Sequence, residues 1–99
     1  MSPTISGQSI VVAAKDQLSC DLAGEVAILN VKNGTYYGLD PVGARIWNLM
    51  QKPREVAEIQ NTITGEYDVE PAQCTQDLYS LLEKLLAEGL IEVKDGSTA

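Results

Sequence analysis

Histidine is absent from this 99-residue chain, cysteine occurs twice, and lysine and arginine together number 7 against 14 aspartates and glutamates. Each shortage closes off a class of function. Without histidine or a Cys-x-x-Cys pair, Cys20 and Cys74 have no companions from which to assemble a zinc site. Nor is there an imidazole to activate a thiolate, so both read as reduced thiols and neither as a nucleophile. A formal net charge of -7 opposes close approach to a phosphate backbone or an anionic lipid surface; nucleic acid and membrane are therefore not expected partners. No apolar run approaches membrane-spanning length. The segment from Met1 to Gly7 is polar and small, unlike a secretory signal, and a cytoplasmic location is the expectation. Gly34 and Gly38 are too isolated to cradle a phosphate, and no cleft with paired acids is implied in so small a domain. No internal repeat or low-complexity segment is present. The expectation is a non-enzyme without cofactor or metal.

What is present is one domain's worth of apolar residues, 44% of the chain, enough for a single core of modest depth. The domain is expected over residues 10–93, with loose ends at 1–9 and 94–99. Ile10 to Ala14 and Gln17 to Leu22 are short extended candidates, one or both of which form a first strand. Glu25 to Val31 and Thr35 to Leu39 flank Asn33-Gly34, a pair that supplies positive φ angles and so predicts a hairpin. Ala23-Gly24 makes the preceding turn, giving three antiparallel strands. At Asp40-Pro41 the period changes. Asp is a good N-cap, Pro fits the first helical turn, and Val42, Ile46, Trp47 and Met50 recur at helical spacing. A second helix follows Pro53, carries Val56, Ile59, Gln60 and Ile63, and ends near Gly65. The third starts at Pro71, carries Cys74, Leu78, Leu81, Leu82, Leu85 and Leu86, and ends at Gly89, after which Leu90 to Val93 add an extended stretch. With Tyr79, the apolar side chains of this helix cover an arc of roughly 160°, wider than the roughly 100° stripe of an ordinary surface helix. One edge of that arc calls for a partner. The order of sheet and three helices predicts an α+β domain of winged helix-turn-helix type, a framework that serves DNA, protein and peptide binding alike.

Several stretches together resemble the PqqD-like family. They are Gly24-Glu25-Val26-Ala27-Ile28-Leu29-Asn30, Asn33-Gly34-Thr35-Tyr36-Tyr37-Gly38-Leu39-Asp40 and Val42-Gly43-Ala44-Arg45-Ile46-Trp47. The likeness continues through Val56-Ala57-Glu58-Ile59, Glu66-Tyr67-Asp68-Val69 and Asp77-Leu78 to Leu90, so that it spans nearly the whole chain. Asp40 departs from the family's usual Asn, though both residues cap helices. Members of this family recognise ribosomally made peptides that are later modified. The resemblance implies that the leader segment of a precursor peptide adds as a further strand to the sheet edge, between the third strand and the third helix. Thr35, Tyr36, Tyr37 and Gly38 would then form the docking edge, with Thr75, Leu78, Tyr79 and Leu82 as the opposing wall. A free strand edge offers unpaired N–H and C=O groups, and an apolar helix edge offers pockets, so the arrangement is physically reasonable. The implied partners are the leader peptide and a separate modifying enzyme, such as a radical-SAM protein or a leader peptidase. Tethering by this chain would make the second encounter intramolecular.

Plainer readings stand beside these. Strand alternation sends one of Tyr36 and Tyr37 toward the core. Leu81 and Leu85 sit near the middle of the apolar arc and read as core, whereas Leu82 and Tyr79 lie nearer its edge. Trp47 reads as a core anchor, and the acids of the second and third helices as a solvated face. Arg45 is expected in a surface ion pair that contributes little. Two other functions remain: a winged-helix DNA-binding regulator, against which Asp77, Glu83 and Glu88 on the third helix argue, and a structural subunit of a partner enzyme. An exposed sheet edge also permits pairing into a homodimer.

Overall fold

The computed structural model describes residues 5–15 and 17–95, and among these the chain forms two three-stranded antiparallel sheets and three helices. The elements are β1 (Ser9–Ala13), β2 (Gln17–Leu22), β3 (Glu25–Asn30), β4 (Thr35–Leu39), α1 (Pro41–Leu49), β5 (Arg54–Glu55), α2 (Val56–Glu66), α3 (Pro71–Ala87) and β6 (Ile91–Asp95). The α+β class and the helices follow the sequence. The meander is β2-β3-β4, so the strand expected third, Thr35–Leu39, is fourth in chain order.

Two hairpins fix the register of the meander. Ala23 and Gly24 have φ of 53° and 90°, the paired positive values of a two-residue turn whose twist matches its strands. This turn makes Leu22 and Glu25 a hydrogen-bonded pair. The second hairpin closes between Asn30 and Thr35, with Gly34 at φ 73° and its N–H donating to the Asn30 carbonyl at 2.8 Å. Val26, Ile28 and Asn30 point inward from β3.

The second sheet, β5-β1-β6, was not expected from the sequence. It joins the two ends of the domain, with Ser9 opposite Asp95 and Ala13 opposite Ile91, and is tied to the helices by bonds from Ala13 N–H to the Met50 carbonyl and from Ala14 N–H to that of Leu90. This pairing corrects the expected boundaries. Ile5 lies in the core, Ser9 already opens β1 and β6 runs to Asp95. The rest of the expected loose ends, residues 1–4 and 96–99, lies outside the described residues.

The core collects Val26 and Ile28 from β3, Ile46, Trp47 and Met50 from the α1 region, Ile59 and Ile63 from α2, and Leu78, Leu82 and Leu85 from α3. Trp47 is its largest member, as its spacing implied. Its indole N–H has no partner among the described residues.

Helix α1 starts where the cap chemistry places it: Asp40 Oδ1 accepts the Gly43 N–H at 2.8 Å and Pro41 occupies the first turn. Arg45 of α1 holds Glu66, the last residue of α2, by two bonds of 2.9 and 2.8 Å. The guanidinium, through its hydrogen bonds, holds the Glu66 carboxyl below its ordinary range. Both partners are solvent-exposed, so screening keeps the pair weak, in line with the sequence reading. The pair's contribution is present above the unfolded-state carboxyl pKa and is lost as pH falls through the lowered folded value.

A buried polar residue links the meander to α3. Asn30 donates from Nδ2 to the Glu88 carbonyl at 2.6 Å, and its Oδ1 accepts the Lys32 N–H at 2.9 Å. One side chain thus satisfies an orphan carbonyl at the end of α3 and fixes the hairpin loop. Replacing Asn30 with alanine should cost about 1–3 kcal/mol, because those groups lose their partner. A urea midpoint unchanged from that of the parent chain would show that the link carries no stability.

Candidate functional site

Hydrogen-bond alternation along the meander decides which backbone groups remain available. Since Leu22 and Glu25 are a bonded pair, so are Cys20 with Ala27 and Leu18 with Leu29. The N–H and C=O groups of Val26, Ile28 and Asn30 therefore point the other way, to Leu39, Tyr37 and Thr35 of β4. Along β4 this leaves the backbone groups of Tyr36 and Gly38 directed away from the sheet. β4 is an edge strand, and these groups form a ready template for another chain.

Side chains alternate with the opposite sense. Tyr36 is 70% exposed on the outer face of the sheet. Tyr37 lies inward and packs against the core. Its ring stands 5.9 Å from the Lys84 Nζ of α3, within reach of a cation–π attraction. Glu88, mainly by accepting a hydrogen bond from the phenol, raises the Tyr37 pKa, with burial and the carboxylate charge adding to the effect. Tyr37 thus closes one end of a cleft between β4 and α3.

Beyond it the cleft opens into a pocket of about 390 Å³. Gly38, Leu39 and Asp40 form its strand side, Val42, Gly43 and Ile46 its α1 side, and Cys74, Asp77, Leu78 and Leu81 its α3 side, with Ile63 and Val69 completing it. The lining is mostly apolar, and Asp40 and Asp77 are its acids. Burial, and then the charge of Asp77, push the Cys74 thiol pKa up, opposite to the shift that activates a thiolate. A second, shallower pocket of about 290 Å³ lies on the other side of Gly38, between Leu22, Glu25 and Ala27. A Cβ built at Gly38 would meet nothing within 4 Å, so this stretch of the edge is open on both faces.

The expected docking edge, Thr35, Tyr36, Tyr37 and Gly38, is therefore a free edge. The opposing wall differs from expectation. Leu78 lines the pocket, as its floor, and is only 1% exposed. Leu82 is 0% exposed within the core, so it does not line the cleft. Thr75 accepts a hydrogen bond from Gln60 of α2, which places it on the α2 side of α3. Tyr79, one turn further along the same stripe, packs at the margin of the core and not in the pocket. The wall is instead the stripe Asp77, Leu81, Lys84 and Glu88, rotated about a quarter turn or more from the one expected. Leu81 had been read as core but is half-buried on the cleft. Leu85, read the same way, is buried. Val42 and Val69 were not anticipated at the site.

Among the described residues no group of three His, Cys, Asp or Glu side chains could hold a metal ion, and no helix is long and apolar enough to cross a membrane. No curated protein sequence matches the chain. A solved structure described as TbiB1 in complex with the TbiA(beta) leader peptide superimposes on it with a TM-score of 0.76 and 33% sequence identity, covering 89% of this chain and 98% of that one. The family described as "Coenzyme PQQ synthesis protein D (PqqD)" matches residues 25–91. With the β3-β4 hairpin, the capped α1 and the long α3 all inside that span, the chain belongs to the PqqD family.

Proposed function

We propose that this chain binds the leader segment of a ribosomally synthesised precursor peptide by strand addition to β4. The observation that carries the reading is the free β4 edge, with Tyr36 and Gly38 directing backbone groups into a cleft that opens on a mostly apolar pocket. The likeness to TbiB1, itself in complex with a leader peptide, supports it. An extended guest chain would pair with Tyr36 and Gly38 and place alternate side chains inward, over Tyr37 and into the pocket beside Leu39. Main-chain bonds supply grip and the pocket supplies selectivity.

The chemistry belongs to a separate modifying enzyme, such as a radical-SAM protein or a leader peptidase, to which the bound peptide is presented. Presentation raises the local concentration of substrate. On this reading the chain is a non-catalytic recognition module. Titration of the TbiA(beta) leader, and of leader sequences encoded beside the gene for this chain, into labelled protein tests it. Saturable shifts at Tyr36 to Gly38 and along Asp77 to Glu88 are expected. Their absence for every leader, with the fold intact, would contradict it.

A further inference from the structure

We infer that β2 is a self-association edge, to which a second copy of this chain adds antiparallel about a twofold axis at Cys20. Strand β2 is the edge opposite β4, and five of its six residues are exposed. By the alternation already described, Gln17, Ser19 and Asp21 direct their N–H and C=O groups away from β3. An antiparallel partner must match outward residues with outward residues.

Pairing β2 with itself about Cys20 meets that condition and sets Ser19 opposite Asp21 of the second copy. It also sets Leu18 opposite Leu22 and Cys20 opposite Cys20, all on the outer face. Leu18 and Leu22 are 62% and 56% exposed in the single chain, and cross-strand apolar pairing covers both. The neighbouring registers do worse. A shift of the twofold axis by one residue toward the C-terminus brings the two Asp21 side chains face to face, and a shift the other way leaves Leu22 beyond the end of the opposing strand.

Charge favours the same element. In a chain of net charge -7, β2 carries one ionisable acid, Asp21, which faces a serine in the Cys20-centred register. A joint of about one strand's length falls below the ~1,200 Å² of a standard stable interface, so the dimer is weak and concentration-dependent. Because two like-charged chains are brought together, added salt strengthens it. The β4 edges stay free, and the pair would carry two clefts.

Sedimentation equilibrium of the full chain without peptide should show reversible dimerisation that tightens with salt. Ser19→Pro removes one outward N–H without touching the β2–β3 ladder and should weaken association at least tenfold. Diamide, itself reduced to the hydrazine as it takes up the two thiol hydrogens, should trap a Cys20–Cys20 disulfide: facing residues of a non-bonded pair lie about 4.5 Å apart at Cα, within disulfide range. Cys20→Ser should lose the covalent dimer and keep the reversible one. A monomer at several hundred micromolar protein in high salt would overturn the inference, as would a dimer indifferent to Ser19→Pro. Leader peptide that protects the Ser19 and Asp21 amides while the dimer stays intact would also overturn it, placing the dimer contact elsewhere than β2. Since the principal readout needs no peptide, it can fail while the β4 reading stands, and the reverse.

Discussion

Gly38→Pro should weaken leader binding by roughly 10- to 100-fold while Gly38→Ala binds close to the parent chain. Both substitutions add bulk at the same place, where a Cβ meets nothing within 4 Å. Only proline removes the N–H. In β4 that N–H points away from β3, so its loss leaves the internal ladder whole, the circumstance in which strands tolerate proline. The guest carbonyl that would have accepted it is left buried without a partner, at a cost of about 1–3 kcal/mol. Calorimetric titration of the two variants, alongside thermal unfolding, separates the effects. Equal affinities for the two would mean that the guest does not bond to the edge of β4.

Leu81 and Leu82, adjacent in sequence, should behave as opposites. Leu82 is fully buried in the core, and truncating such a leucine to alanine costs about 2–5 kcal/mol from lost transfer energy and the cavity left behind. In a domain of this size that lowers Tm by at least about 10 °C. Leu81 lines the cleft and is only partly buried. Leu81→Ala should therefore leave Tm within a few degrees of the parent value but weaken leader binding by about tenfold or more, the worth of one apolar side chain taken out of water. Differential scanning calorimetry and binding titrations of both variants check this. Comparable losses of stability in the two would show that the cleft wall is misassigned.

The reversal of that pair is a matter of helical geometry that the sequence does carry, since at 100° per residue Leu81 stands at one end of the apolar arc and Leu82 near its middle. Local chemistry announces itself: Asn33-Gly34 carries the turn, Asp40-Pro41 starts α1, and Gly89, with φ 73°, ends the α3 region. The apolar periodicity of α3 correctly showed an arc too broad for an ordinary surface helix. Periodicity, though, says nothing about which edge of the arc faces the sheet and which faces α2. That is decided by how α3 lies across the domain, through contacts such as Thr75 with Gln60 and Asn30 with the Glu88 carbonyl. Thr75 and Tyr79, expected on the wall, accordingly lie on a different stripe from Asp77, Leu81, Lys84 and Glu88. Glu88, one of the acids that read as a solvated face, flanks Tyr37 together with Lys84.

The β5-β1-β6 sheet was hidden for a different reason. Its pairing spans nearly the whole chain, from Ser9 to Asp95, and β5 is two residues long. Such strands carry too few residues to show alternation, and their stability comes from partners remote in sequence. The free edge of β4 was legible because the hairpin that creates it is local, and a strand with a neighbour on one side only must leave half its backbone groups unpaired.

Hydrogen exchange at single-residue resolution, with and without a bound leader peptide, tests strand addition most directly. The Tyr36 and Gly38 amides should exchange readily in the free chain and slow by at least tenfold on binding, while those of Tyr37 and Leu39, already committed to β3, change little. A leader peptide that binds tightly yet leaves the Tyr36 and Gly38 amides exchanging at their free rates would contradict it.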